Sequence, residues 1–189
     1  MKLTKLLMAG VAVLSLSACV QVPINYEPTL QNIETLKKSN PVPMAVGKFA
    51  LEPGKPEAMD QSISSRAATI VSSKDNSFAQ LLKDGVTQEL KAAGKFDQNS
   101  TTVISGLLTK NSLDTPIGTG KGTLGAKFSV AQDSKVVYEK ELVESAEWPS
   151  AFMGAEAIPT AIAEYTSLYK KLLARLFGDD DFKKATRAK

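Results

Sequence analysis

Between Thr101 and Trp148 the sequence carries three successive strand patterns with one short turn between the last two. In TTVISGLLTK (101–110), Val103, Ile104, Leu107 and Leu108 put apolar groups on both faces, as an inner strand requires. In GTGKGTLGAKFSVAQ (118–132) every second residue points the same way: Gly118, Gly120, Gly122, Leu124, Ala126, Phe128 and Val130 share one face. Thr119, Lys121, Thr123, Lys127 and Ser129 share the other. Asp133-Ser134 supplies a turn, and KVVYEKELVESAEW (135–148) sets Val136, Tyr138, Leu142, Ala146 and Trp148 in one register. A sheet with one apolar face must bury that face against another layer.

Two amphipathic helices are available to do so. Phe78, Leu81, Leu82, Val86, Leu90 and Ala93 recur at helical spacing, after the capping candidates Asp75, Asn76 and Ser77 and before Gly94. Ile158, Ile162, Tyr165, Tyr169, Leu172, Leu173 and Leu176 form a second stripe, with Pro159 suited to the first turn and Gly178 at the end. MAVGKFAL (44–51), followed by the turn-like EPGKPE, adds an earlier strand. Residues 57–75 give no clear pattern, although RAATIVSS (66–73) reads as a strand or as a loop lying on the sheet. The order strand, helix, three strands, helix predicts an α+β fold. It is expected to be a two-layer sandwich: a mixed, mostly antiparallel sheet of about four strands with two helices on one face. A single domain is expected over 44–178, with 179–189 as a polar tail whose acidic start and basic end suit one frayed helical turn.

PIGTGKGTLG (116–125) contains G-x-G-x-x-G, which raises the question of a nucleotide. A dinucleotide fingerprint needs a helix after the glycines, and here a strand pattern follows. A phosphate-binding loop needs Ser or Thr after its lysine, and Lys121 is followed by Gly122. Parity instead makes Gly118, Gly120 and Gly122 a stretch of bare backbone on the core face. Either the small residues Ala157, Ala161 and Ala163 pack into it, or it stays open as a groove for a lipid chain or a partner.

Other chemistry finds little footing. The chain has no histidine, the commonest general base and metal ligand at neutral pH. Ser167-Leu-Tyr-Lys170 fits S-x-x-K, but its companion motifs are missing and the two residues simply share a helix face. Asp179, Asp180 and Asp181 lack the alternating spacing of a calcium loop. Glu139 and Glu141 read as the wet side of their strand. No catalytic residue, metal or cofactor is therefore expected. The loop over 148–159 is less ordinary: Trp148, Phe152 and Met153 either fold back over the core or form a contact patch for a partner or a membrane.

The N-terminus bears on location. Lys2 and Lys5 precede a short apolar run from Leu6 to Leu16, which is a secretory signal peptide over 1–18, too short to span a bilayer. Leu16-Ser17-Ala18-Cys19 resembles the lipobox of bacterial lipoproteins, in which the chain is cut before the cysteine and that cysteine is acylated. Cys19 is the only cysteine, so the resemblance leaves no thiol for a disulfide or a metal. Residues 19–43, with Pro23, Pro28, Pro41 and Pro43, are expected to be the lipidated cysteine and an extended tether, with at most a helical turn near 33–38. Val20 and Gln21 follow Cys19 where an aspartate would resemble an inner-membrane retention signal, which implies the periplasmic face of the outer membrane. Removing Lys2 and Lys5 from the 23 basic residues leaves 21 against 20 acidic ones, so no electrostatic footprint for nucleic acid remains.

The lipobox and the element order, with SFAQLLKDGVTQELKAAGKF leading to a strand, resemble small envelope lipoproteins. These include transport auxiliary lipoproteins, lipoprotein activators of penicillin-binding proteins and other TolB-N-terminal-like lipoproteins. The resemblance implies a non-enzymatic accessory component that binds an envelope protein. The alternative is a carrier of a lipid or other apolar ligand in a groove at the glycine-rich end of the sheet.

Overall fold

The structure, a computed structural model, describes residues 20–188. The expected signal peptide over 1–18 and Cys19 lie outside the described residues. The four expected strands are β2 (Ala45–Leu51), β5 (Thr102–Asp114), β6 (Gly118–Gln132) and β7 (Lys135–Ser150), and they form one sheet in the order β2-β5-β6-β7. Only β2 and β5 run parallel; the other two pairings are antiparallel. The parity reading holds along β6, where Gly120, Gly122, Leu124, Ala126, Phe128 and Val130 are all buried and Thr119 and Lys121 are exposed.

The two helical stripes become α3 (Phe78–Ala92) and α4 (Gly154–Gly178). Ser77 is the capping residue chosen from the three candidates: its hydroxyl accepts from the Gln80 amide at 3.1 Å. The Asp60 carboxylate accepts from both the Ser77 hydroxyl and the Ala79 amide. Every residue of the expected α3 stripe is buried. α3 lies on β2 and β5, and α4 on β6 and β7. α4 starts at Gly154, so Pro159 falls in its second turn and not its first. Pro159 has no N–H for the carbonyl four residues back, which belongs to exposed Ala155, where water can serve instead.

Three expectations need correction. The sheet does not stand alone, because a second, three-stranded sheet of β1 (Val20–Ile24), β4 (Ala68–Ser72) and β3 (Ser62–Ser65) fills the unreadable region and part of the expected tether. Short α2 (Ala58–Gln61) precedes it. The α+β class therefore stands, with two mixed sheets and five helices among the described residues.

The second correction concerns residues 20–43, which are not an extended tether. β1 pairs in parallel with β4, and α1 (Leu30–Ser39) packs against α3 and α4. The docking point is Glu89, on the buried side of α3. Its Oε1 accepts from the Tyr26 hydroxyl at 2.5 Å, the Thr29 amide at 2.9 Å and the Asn32 side-chain amide at 3.0 Å. Gly85 lies one turn earlier, where a Cβ would sit 3.0 Å from the Tyr26 ring, so the missing side chain lets that ring settle on the helix.

The third is the C-terminal tail. Residues Asp180–Thr186 form α5, which buries Phe182 against Tyr138 and Phe177. Asp179 caps it by accepting from the amides of Asp181 and Phe182, and Lys140 on β7 pairs with both Asp179 and Asp181. Strand β7 also departs from strict alternation. A bulge opposite Val130/Ala131 turns Val136 away from the face that Tyr138 keeps, and Val136 is 57% exposed.

Candidate functional site

The β5–β6 connection, the end of β7 and the β3–β4 turn converge at one end of the molecule. Their fastener is Arg66, the first residue of the two-residue β3–β4 turn, at φ +53°. Glycine is the residue that adopts this conformation most cheaply. Here the position carries a guanidinium whose three nitrogens all donate. Nε donates to the Thr115 carbonyl at 2.9 Å and Nη1 to the Phe152 carbonyl at 3.0 Å. Nη2 donates to the Ala151 carbonyl at 2.8 Å and to the Ser150 hydroxyl at 3.1 Å. Beside it, the hydroxyls of Ser65 and Thr115 share a buried hydrogen bond of 2.8 Å. A planar fork suits three carbonyls in fixed directions, which the point charge of a lysine does not.

These bonds hold both loops in place and leave their apolar side chains in water. Ile117 is 64% exposed, Phe152 78% and Met153 62%. Gly118 pairs with Ser150, so Ile117 and Ala151 leave the ladder side by side. Isolated exposed apolar residues are ordinary, whereas three on adjoining, hydrogen-bonded loops make a patch. The other large exposed apolar residues among the described residues lie elsewhere: Leu30 opens α1, and Val136 and Val137 follow the distant β6–β7 turn.

The residues singled out from sequence separate at this point. Phe152 and Met153 are in the patch. Trp148 is not: it is 5% exposed, and its indole lies across the glycines of the neighbouring strand. A Cβ on Gly120 would come within 2.5 Å of the Trp148 Nε1, and one on Gly122 within 3.0 Å of Leu168 Cδ1 and 3.4 Å of Trp148. The bare backbone is thus covered by the cross-strand partner of Gly120 and by α4. Ala157 and Ala161 are buried in α4, but Ala163 is exposed and fills nothing. Gly118 belongs to neither a groove nor the packing. It is exposed at φ +99° with no atom near its missing Cβ, so its glycine serves the backbone turn into β6. The Trp148 Nε1 is buried without a hydrogen-bond partner among the described residues.

Other candidates hold structural positions. The Ser167 hydroxyl donates to the Glu164 carbonyl of its own helix at 2.7 Å. The Tyr165 hydroxyl donates to Asn111 and meets Tyr169, and burial raises the pKa of both phenols above the ordinary range. Glu141 accepts from the Thr109 hydroxyl on the open face of the sheet. No group of three or more metal-ligating side chains of the kind that holds an ion occurs among the described residues. No helix among them is long and apolar enough to cross a membrane.

Sequence reading missed Arg66 and Ile117. Ile117 had a local signal, a bulky apolar residue between Pro116 and Gly118 in a turn. Arg66 had none, because its partners are 49 to 86 residues away.

The architecture is that of a mixed-sheet α+β protein. No protein-family model matches the chain, and no curated protein matches it. Among solved structures it is similar to a Xanthomonas campestris protein of the DUF330 family, at 14% identity and a TM-score of 0.50, over 85% of this chain and 87% of that one. That likeness shows a shared fold. A minor lipoprotein from Acinetobacter baumannii also matches, at 12% identity and a TM-score of 0.40, over 78% of this chain and 99% of that one.

Proposed function

We propose that this chain is a lipid-anchored lipoprotein on the periplasmic face of the outer membrane, acting as a non-enzymatic accessory component of an envelope complex. The observation that carries the reading is the position of β1. Val20, the first described residue and the one directly after the cysteine of LSAC, already belongs to β1, so an anchor at Cys19 would hold the domain itself at the membrane. Export is supported by the charged start and short apolar run, and stable attachment by several acyl chains on one residue. The partner is an envelope protein that meets the surfaces turned away from the bilayer. One candidate is the open face of the four-stranded sheet, which carries Lys48, Ser105, Lys127, Ser129 and Glu139. The apolar-ligand alternative has lost its groove to Trp148.

Affinity purification from detergent-solubilised envelopes, with intact-mass analysis of the bait, tests the reading. The expected result is an acylated chain starting at Cys19 with a recurring protein partner. A chain cut elsewhere with a free Cys19 thiol overturns the anchor, and an acylated bait that never brings a protein with it overturns the accessory role.

A further inference from the structure

We infer that the apolar patch of Ile117, Phe152 and Met153 is a membrane-docking tip that enters the lipid bilayer beside the anchor. The inference rests on the reading of Cys19 as the acylated residue and fixes how the anchored domain stands.

The first ground is chain continuity. Val20 pairs with Ala68 at the start of the parallel β1–β4 ladder, and Ala68 is two residues from Arg66. The Arg66 guanidinium is bonded to the carbonyls of both patch loops. Cys19 is covalently joined to Val20, which puts its Cα about 3.8 Å further on. With strands about 4.8 Å apart and a rise of about 3.3 Å per residue, the acyl attachment point lies within roughly 15 Å of the backbone of Arg66, whose side chain reaches the loops that carry the patch. No slack separates anchor from domain, since β1 starts at once.

The second ground is the chemistry of the patch. Its exposed groups are a phenyl ring, a thioether and a branched alkyl chain, with no lysine among them. Three carbonyls of the two loops, those of Thr115, Ala151 and Phe152, already accept from Arg66. Satisfied backbone carbonyls beneath protruding apolar side chains are what entry into the headgroup and upper acyl region requires. The opposite end of the molecule differs: there stand the Asp133-Ser134 turn and charged α5.

The experiment uses the acylated full-length protein in vesicles of phosphatidylethanolamine and phosphatidylglycerol. With Cys19 acylated, Met153→Cys or, as control, Ser134→Cys supplies a single thiol for an environment-sensitive dye. Doxyl-labelled lipids are expected to quench the dye at 153 by about twofold or more and to leave the dye at 134 unchanged. Ile117→Ser and Phe152→Ser, together or with Phe152→Ser alone if the pair folds poorly, should remove that quenching while the intact mass still shows the acyl chains. An acylated protein whose 153 dye stays unquenched overturns the tip while leaving the anchor standing. A protein without acyl chains overturns the anchor, whatever the dye reports. Protection of the dye only after an envelope protein is added would assign the patch to a protein partner and overturn the inference.

Discussion

A glycine and a tryptophan explain each other across β6 and β7. Gly120 faces Trp148 in the antiparallel register, and the indole occupies the volume in which a Cβ at 120 would stand. Gly120→Val therefore forces the indole out of its site or the strands apart. Such overpacking costs about 2 kcal/mol or more, and the urea unfolding midpoint should fall accordingly. A midpoint equal to that of the parent protein would show that the indole has another place to go. Glu89 is the second residue on which distant parts depend. One carboxylate oxygen receives three donors from the N-terminal segment, while Oε2 is buried with no partner among the described residues. The Tyr26 phenol, pressed by burial and by the neighbouring carboxylate, has its pKa raised far above the ordinary range and stays a donor. Glu89→Ala strands those donors and should cost about 3 kcal/mol or more, whereas Glu89→Gln keeps an acceptor and should cost less. Equal losses for the two variants, measured by denaturant unfolding, would mean that packing and not hydrogen bonding fixes the segment.

At the scale of elements, the N-terminus of α5 is held by one cap, Asp179. Partial burial pushes the Asp179 carboxyl up, but the Lys140 ammonium and the amides of Phe182 and Asp181 outweigh it and leave the pKa below its ordinary 3.8. A depressed carboxyl contributes stability that is full above the unfolded value and fades as pH falls through the folded one. Amide exchange in α5 should therefore accelerate as pH drops below about 4, after correction for intrinsic rates, and Asp179→Asn should remove that dependence. The Tyr138 phenol beneath α5 is raised to about 12 by burial and then by Asp179, so it stays neutral throughout that window. The elements also show what was legible from sequence. Strands β2, β5, β6 and β7 and helices α3 and α4 announce themselves because local periodicity and burial coincide. The N-terminal segment does not, because its prolines and polar residues resemble a linker while its order comes from Glu89, 57 to 63 residues away. A trace was present: Glu89 falls seven residues after Leu82 and four after Gly85, on the buried side of the helix. Of the patch, Phe152 and Met153 were legible as bulky residues in a loop. Trp148 read both as the end of its strand and as part of that loop; the strand reading holds, and β7 runs two residues past it.

The whole molecule has two unlike ends. The exposed apolar patch, the Arg66 fastener and the start of β1 gather at one, and the β6–β7 turn and α5 at the other. β6 alone has 15 residues, a length of roughly 50 Å at about 3.3 Å per residue. On the lipid-anchored reading no tether separates Cys19 from β1, and the domain would present its open sheet face at a set height above the surface that holds Cys19. A tethered domain would sample a range of heights and orientations and lose that freedom on meeting a partner.

The position of β1 also bears on the order of events in time. Cys19 precedes Val20, and Val20 is hydrogen-bonded into a parallel ladder with a strand 48 residues further along. On the lipid-anchored reading, a protease and an acyltransferase would reach Cys19 most easily while the chain on its C-terminal side still has slack. Once β1 has closed on β4, that slack is gone. On the lipid-anchored reading, maturation of the cysteine comes first and the closing of β1 last. A contact of such long sequence separation suits that schedule, since the loop it closes must be ordered before the pairing is gained.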